Sequence, residues 1–197
     1  MPTGVHLRDA RKQLFDAAER ILLRAGPNAL TSRAVTTEAG CAKGVLHRHF
    51  ADFDDFLAEL VQDRIEQLGD QATALRESAG TGTVADNLTR ALTALFESVA
   101  VGIVSLIVFR DELRTRLRRT TPTGIPLVTE AAAMIASYLA AERDLGRIAA
   151  DADIDTLAPT LIGGGHLAFA DRSSGPPGTE DVHRMVTTVI AGVARDA

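Results

Sequence analysis

The chain has 197 residues, 46 % of them apolar, with no Trp, one Tyr and a single Cys. That composition is globular rather than disordered, and one cysteine excludes an internal disulfide framework and a Cys-based zinc site. The net charge of −5 argues against a nucleic-acid partner until its distribution is read: residues 1–50 hold eight basic and four acidic side chains, which gives +4 and leaves −9 for the other 147. A basic head on an acidic body suits phosphate contact, which dominates affinity for DNA. The N-terminus carries no apolar stretch of signal-peptide length. The longest apolar run, Val99 to Phe109, is too short to span a bilayer. A soluble, cytoplasmic chain with no membrane partner is expected.

In chain order, Arg8 to Ala25 predicts a first helix, with Leu14, Ala17, Ala18, Ile21 and Leu22 on one stripe and Gly26-Pro27-Asn28 ending it. His6, Arg8, Arg11 and Lys12 open it, within reach of a DNA backbone or simply solvated. Thr31 to Phe50, TSRAVTTEAGCAKGVLHRHF, predicts two short helices about a sharp turn. The Thr31 hydroxyl can accept from a first-turn N–H, and Gly40 supplies the positive φ that a sharp helix end needs. Leu46 and Phe50, at i and i+4, point inward. Lys43, Gly44, Val45, His47 and Arg48 are left on a small, basic outer face, the shape that enters a major groove. With Leu14, Ile21, Leu30, Val35, Leu46 and Phe50 as core, residues 1–52 form a three-helix, helix-turn-helix domain (motif about 31–51). Residues 53–197 form a helical body.

Ala39-Gly40, Gly44, Leu46 and His49-Phe50 stand at the spacing A-G-x-x-x-G-x-L-x-x-H-F. This pattern resembles the DNA-binding domain of the tetracycline-repressor (TetR) family of transcription regulators, over roughly the first third of the chain. Ala42, His47 and Phe53 depart from it, standing where that family usually has Ser, Tyr and Lys. The resemblance implies a homodimeric repressor that binds a double-stranded DNA operator and leaves it when a small-molecule effector binds the body. Expected DNA-binding residues are Thr31, Ser32, Arg33, Lys43, Gly44, Val45, His47, Arg48 and His49. The three departures motivate an alternative, an all-α ligand-binding or scaffold protein whose head has lost operator affinity.

Beyond the head, Asp52 to about Glu77 predicts one long helix, and Ser78 to Thr83 the first break. Helix resumes at Thr83 or Asp86 and runs to Arg119 with a kink at Gly102. Thr120 to Pro126 is a second break. Leu127 to Glu142, Asp151 to Ala170 and Thr179 to Arg195 are further helices, and Ser173 to Gly178 lies before the last. No strand-like alternation is present. The fold class is all-α, with about nine helices.

Effector contacts are expected at Phe96, Phe109, Arg110, Met134, Tyr138, His166 and Phe169. Arg110 interrupts an apolar stripe and needs a partner, either an anionic ligand or Glu97. The last helix carries an apolar seam with no evident intrachain partner. The resemblance implies a dimer interface of the last two helices, here at Leu161, Gly164, Gly165, Val182, Met185, Val186, Val189, Ile190 and Val193. Gly163-Gly164-Gly165 lacks the strand and Lys of a phosphate loop and predicts close helix approach. His47 and His49 point to different faces, and His166 and His183 are isolated, so no metal site is read. No nucleophile motif is present. Neither a cofactor nor an enzymatic activity is expected.

Overall fold

The computed structural model describes residues 5–170 and 175–195. His6 and Arg8 lie outside the residues whose side chains are described, and Ser173 and Ser174 outside the described chain. The chain divides into two compact units, one of Met1–Arg64 with Gly102–Pro126 and one of Ile65–Val101 with Leu127–Ala197.

The first unit holds α1 (Val5–Ala25), a 3-10 turn (Pro27–Ala29), α2 (Ser32–Glu38), α3 (Gly44–His49), the start of α4 (Phe53–Glu77), most of α6 (Ala100–Phe109) and α7 (Asp111–Leu117). All six expected head-core residues are buried, Leu14, Val35 and Leu46 completely. Phe15 adds an aromatic cluster, with ring centroids 5.8 Å from Phe50 and 5.6 Å from Phe56. Phe50 and Phe56 meet edge to face at 5.1 Å, a favourable arrangement of ring quadrupoles.

The second unit holds the rest of α4, α5 (Val84–Phe96), α8 (Val128–Asp144), α9 (Ile154–Ala170) and α10 (Thr179–Ile190). α9 packs on α8, and α10 packs on both α5 and α9. Helix α5 has Val84, Leu88, Leu92 and Leu95 buried on one stripe, and Thr83 caps it by accepting from Asp86 N at 3.0 Å. Helix α8 is preceded by Leu127, whose φ of +70° is left-handed; its N–H donates to Glu130 Oε2 at 2.6 Å.

The expected stretch from residue 83 to 119, two helical segments about a kink, is three helices, which raises the count among the described residues from about nine to ten. The kink lies not at Gly102, which is inside α6, but around Ser98 and at Arg110. The Ser98 hydroxyl donates to Leu95 O and accepts from Ala100 N; such local bonds compete with the helical ladder. Arg110 is extended, with φ −121° and ψ 103°, and α7 starts after it. The last helix stops at Ile190 rather than Arg195. Beyond it Ala149 N donates to Val193 O and Arg195 N to Arg147 O, an isolated antiparallel bridge.

Candidate nucleic-acid interface and body groove

Local chemistry builds the head's exposed basic surface. Thr31 Oγ1 accepts from Ala34 N at 3.1 Å and fixes the start of α2. The buried Thr36 hydroxyl donates to Ser32 O and Arg33 O within it. Gly40, at φ +65°, reverses the chain, and Cys41 N donates back to Thr36 O at 3.0 Å. Arg20 and Arg24 of α1 both grip Glu38 at the end of α2, at 3.0 and 2.9 Å. α3 then lies with Leu46 wholly buried and Lys43, Gly44, His47 and Arg48 exposed. Val45 and His49 are half-buried, and Arg33 at the start of α2 is exposed. Ser32 Oγ is buried without a hydrogen-bond partner among the described residues.

Two further basic residues are engaged inside the head. Arg11 forms an ion pair with Glu59, donates to His49 O at 3.4 Å and lies 4.6 Å from the Phe50 ring centre. Lys12 pairs with Asp16 at 3.0 Å. Arg11 therefore holds the end of α3 to α4 rather than standing free for phosphate.

Phe53, where a Lys was the expectation of the motif, stacks on Phe56 at 5.6 Å and lies 5.6 Å from the Arg110 guanidinium. Arg110 donates twice to Asp54 Oδ1, at 3.2 and 2.9 Å. Arg116 grips Asp52 through both guanidinium nitrogens, at 2.8 and 2.9 Å. The partner of Arg110 is thus Asp54, and neither Glu97 nor a ligand is required to balance it.

The seven expected effector contacts do not converge. Phe109 is 83 % exposed, and it belongs with Arg110 to the first unit. Phe96 and Phe169 stack at 5.5 Å with the His166 ring 6.4 Å from Phe96, a packed cluster inside the second unit. Met134 alone of the seven lines a groove of about 310 Å³ between α4, α5 and α8. Its apolar walls are Ala74, Leu75, Ala91, Ala94 and Met134, and its polar lining is Gln71, Ser78, Asn87 and Arg90.

Beside that groove runs a buried polar chain. Arg90 donates to Asn87 Oδ1. Asn87 Nδ2 lies within donating distance of Thr81 O at 2.8 Å, Tyr138 Oη at 3.0 Å and Ser78 O at 3.3 Å. The Tyr138 hydroxyl donates to Glu142 Oε1 at 2.5 Å. Glu142, with no exposed surface, also accepts from Gly80 N at 3.3 Å and pairs with Arg147 at 3.5 Å. Burial, and then the neighbouring Glu142 carboxylate, push the Tyr138 hydroxyl well above its usual range, so it stays a donor. Tyr138 therefore serves this chain rather than a ligand. Asn87 and Glu142 escaped the sequence reading, although each is a polar residue on an apolar helical stripe.

The expected interface residues split in two. Leu161, Val182, Val186 and Ile190 are each at most 2 % exposed within one chain, packed among α5, α9 and α10. The premise that the last helix lacks an intrachain partner is corrected. A Cβ on Gly165 would come 2.3 Å from the Phe96 ring, and one on Gly164 3.1 Å from Met185 Sδ. These glycines allow close packing within the chain. Met185, Val189 and Val193 are half-buried, and Leu167, which the sequence reading passed over, is 75 % exposed.

Comparison with known proteins agrees on the head and on the fold. Residues 14–60 match the family described as bacterial regulatory proteins, tetR family. The HTH-type transcriptional regulator PksA of Bacillus subtilis is 32 % identical over 68 residues, which cover 33 % of each chain. The match thus spans about a third of that curated relative. Among solved structures, reduced E. coli NemR superposes with TM-score 0.74 at 16 % identity, covering 96 % of this chain and 100 % of that one. A transcriptional regulator from Saccharomonospora viridis in complex with choline gives 0.68 at 17 %, covering 96 % and 100 %. No single described helix is long and apolar enough to cross a membrane.

Proposed function

We propose that the chain is a DNA-binding transcription regulator of the tetR family, whose model matches its residues 14–60, and that it acts as a homodimeric repressor released from its operator by a small-molecule effector. The observation that carries the reading is α3, wedged inward by Leu46 while Lys43, His47 and Arg48 stand exposed. Lys43, Gly44, Val45 and Arg48 meet base edges; Thr31, Arg33, His47 and His49 meet phosphates, while Ser32, whose Oγ is buried, sits at the start of α2 behind them. Lys43, Arg33 and Arg48 have no ion pair among the described residues, so binding DNA breaks no internal contact of theirs.

Helix α4 supports effector control, because it contributes residues to both units without a break. Its start carries Asp52, Asp54 and Asp55, near the arginines of α7, and its later turns line the groove. The choline complex of the Saccharomonospora viridis protein supports a small molecule as the occupant of a body of this fold. For the dimer, the outward residues of α9 and α10 replace the buried ones: Leu167 and Gly163 are exposed, and Met185 and Val189 half-exposed. Leu167→Glu with Val189→Asp is expected to give a folded monomer by sedimentation. An unchanged dimer would move the interface elsewhere. Val186→Asp with Ile190→Asp, by contrast, is expected to unfold the chain.

The test of the whole reading is binding to duplexes from the chain's own promoter across a range of salt. Binding is expected to weaken steeply with salt; Arg33→Ala should reduce the salt slope by about one, whereas Lys43→Ala or Arg48→Ala should cost about 1–3 kcal/mol and relax sequence specificity. The second reading, a head without operator affinity, is favoured by one observation: Lys43 at the start of α3 makes no side-chain cap. Absence of salt-dependent binding to any promoter fragment would establish it.

A further inference from the structure

The groove between α4, α5 and α8 has a charge and a shape of its own, and from them we propose the chemical class of its ligand: a short amphipathic anion, with its carboxylate on Arg90 and its apolar chain along Leu75, Ala91, Ala94 and Met134. The inference rests on the reading of the helical body as the effector-binding part and adds what that effector is.

Of the polar residues lining the groove, Asn87 and Ser78 are engaged within the chain, whereas Gln71 and Arg90 keep donors to spare. Asn87 is 2 % exposed; its amide group serves Thr81 O, Ser78 O and Tyr138 Oη, and its oxygen is taken by Arg90. The Glu142 carboxylate is sealed by Tyr138, Gly80 N and Arg147 and so offers nothing to a cation. Arg90 is different. It is exposed, lines the groove, and has no carboxylate partner among the described residues. A guanidinium carries five N–H donors, and Asn87 accounts for one contact. The one ionic group among the lining residues is therefore a cation with donors to spare, beside alanine, leucine and methionine side chains.

Complementarity then excludes the other ligand classes. A cationic ligand would meet like charge, and no Phe, Tyr or Trp lines the groove to hold a quaternary ammonium over a ring face. A neutral apolar ligand would forgo the charge-assisted bond, which is about twice as strong as a neutral one. At about 310 Å³ the groove is at the small end of the range for ligand sites, which restricts the apolar chain to a short one.

The probes are octanoate, 1-octanol and octylamine, titrated into the full-length protein with thermal stability and calorimetry as readouts. Octanoate is expected to bind about tenfold more tightly than octanol, the worth of one charge-assisted hydrogen bond, and octylamine more weakly than either. Arg90→Gln should bring octanoate down to the octanol level and leave octanol unchanged, which also shows that the variant is folded. Ala94→Phe, at an exposed position of the groove, should weaken both. Octylamine binding as tightly as octanoate, an unchanged octanoate-to-octanol ratio in Arg90→Gln, or no binding of octanoate would each overturn the proposal. Operator affinity is measured in parallel. If octanoate binds through Arg90 while operator affinity stays constant, the ligand class stands and the effector reading falls. If other compounds release the operator while octanoate does not bind, the effector reading stands and this inference falls.

Discussion

The two units use polar groups in opposite ways. In the first, the charged contacts lie at or near the surface: Arg20 and Arg24 on Glu38, Arg110 on Asp54, Arg116 on Asp52, Arg11 on Glu59. In the second, the central polar group is Glu142, with no exposed surface, joined to Tyr138, Asn87 and Arg147. Exposed pairs gain little because water competes for both partners. A buried network is all-or-none, since removing one member strands the others away from water. The charged contacts of the first unit are thus many, weak and salt-screened, added to an apolar core that does not need them. The body's loop from Ser78 to Gly82 is held by a few strong ones, through Gly80 N and the carbonyls of Ser78, Thr81 and Gly82.

Breaking that contrast at its strongest point gives the largest expected effect. Glu142→Ala strands Arg147 and the Tyr138 hydroxyl, and a loss of about 3–5 kcal/mol is expected, the usual cost of breaking a buried pair. Denaturant unfolding of wild type and variant measures it. A loss below about 1 kcal/mol would mean that the network is not closed to water. Gly165→Ala comes next. Its methyl would meet a Phe96 ring that is stacked on Phe169 and has little room to give, so about 1–3 kcal/mol of overpacking is expected. Phe96→Leu in the same chain should restore part of it.

The sequence disclosed these regions unequally. The head was legible down to its core, because Leu14, Ile21, Leu30, Val35, Leu46 and Phe50 obey helical spacing within fifty residues and their packing is local. The Thr31 cap and the Gly40 turn were equally readable, since both are decided by one residue's own chemistry. The body was legible as helices but not as contacts. Val182, Val186 and Ile190 form a seam whose intrachain partners, on α5 and α9, come from distant sequence. Arg110 was seen to need a partner, but Asp54, fifty-six residues away, carries no signal pointing to it. The groove was missed for the same reason: Gln71, Arg90 and Met134 converge only once three helices have packed.

Among the exposed contacts, Arg116→Ala removes both bonds to Asp52. The fall in melting temperature is expected to be small beside that of Glu142→Ala and to vanish in about 0.5 M salt, where charges are screened within a few ångströms. Persistence of the effect in high salt would show that Arg116 acts by packing its stem rather than by charge.

The smallest expected effects are those of two glutamates in the head, and they have opposite signs. Glu38 is held below the ordinary glutamate value near 4.5 by hydrogen bonds from Arg24 and then Arg20. A carboxyl depressed in the folded state contributes stability above its unfolded value and loses it as pH falls through the folded one. Glu19 is raised instead, chiefly by burial, and its Oε1 is buried without a hydrogen-bond partner among the described residues. Its ionised form is therefore a cost above the unfolded value, and the cost disappears on acidification. Glu38→Gln should lower the melting temperature at about pH 7, with the deficit closing below about pH 4.5. Glu19→Gln should raise the melting temperature at about pH 7, with the gain closing as pH falls to about 4.5, before the Glu38→Gln deficit begins to close. Melting curves of the three proteins at about pH 7, 5 and 3.5 separate the two cases. A Glu38→Gln deficit as large at the lowest pH as at neutrality would mean that the α1–α2 clamp works through shape and not through charge.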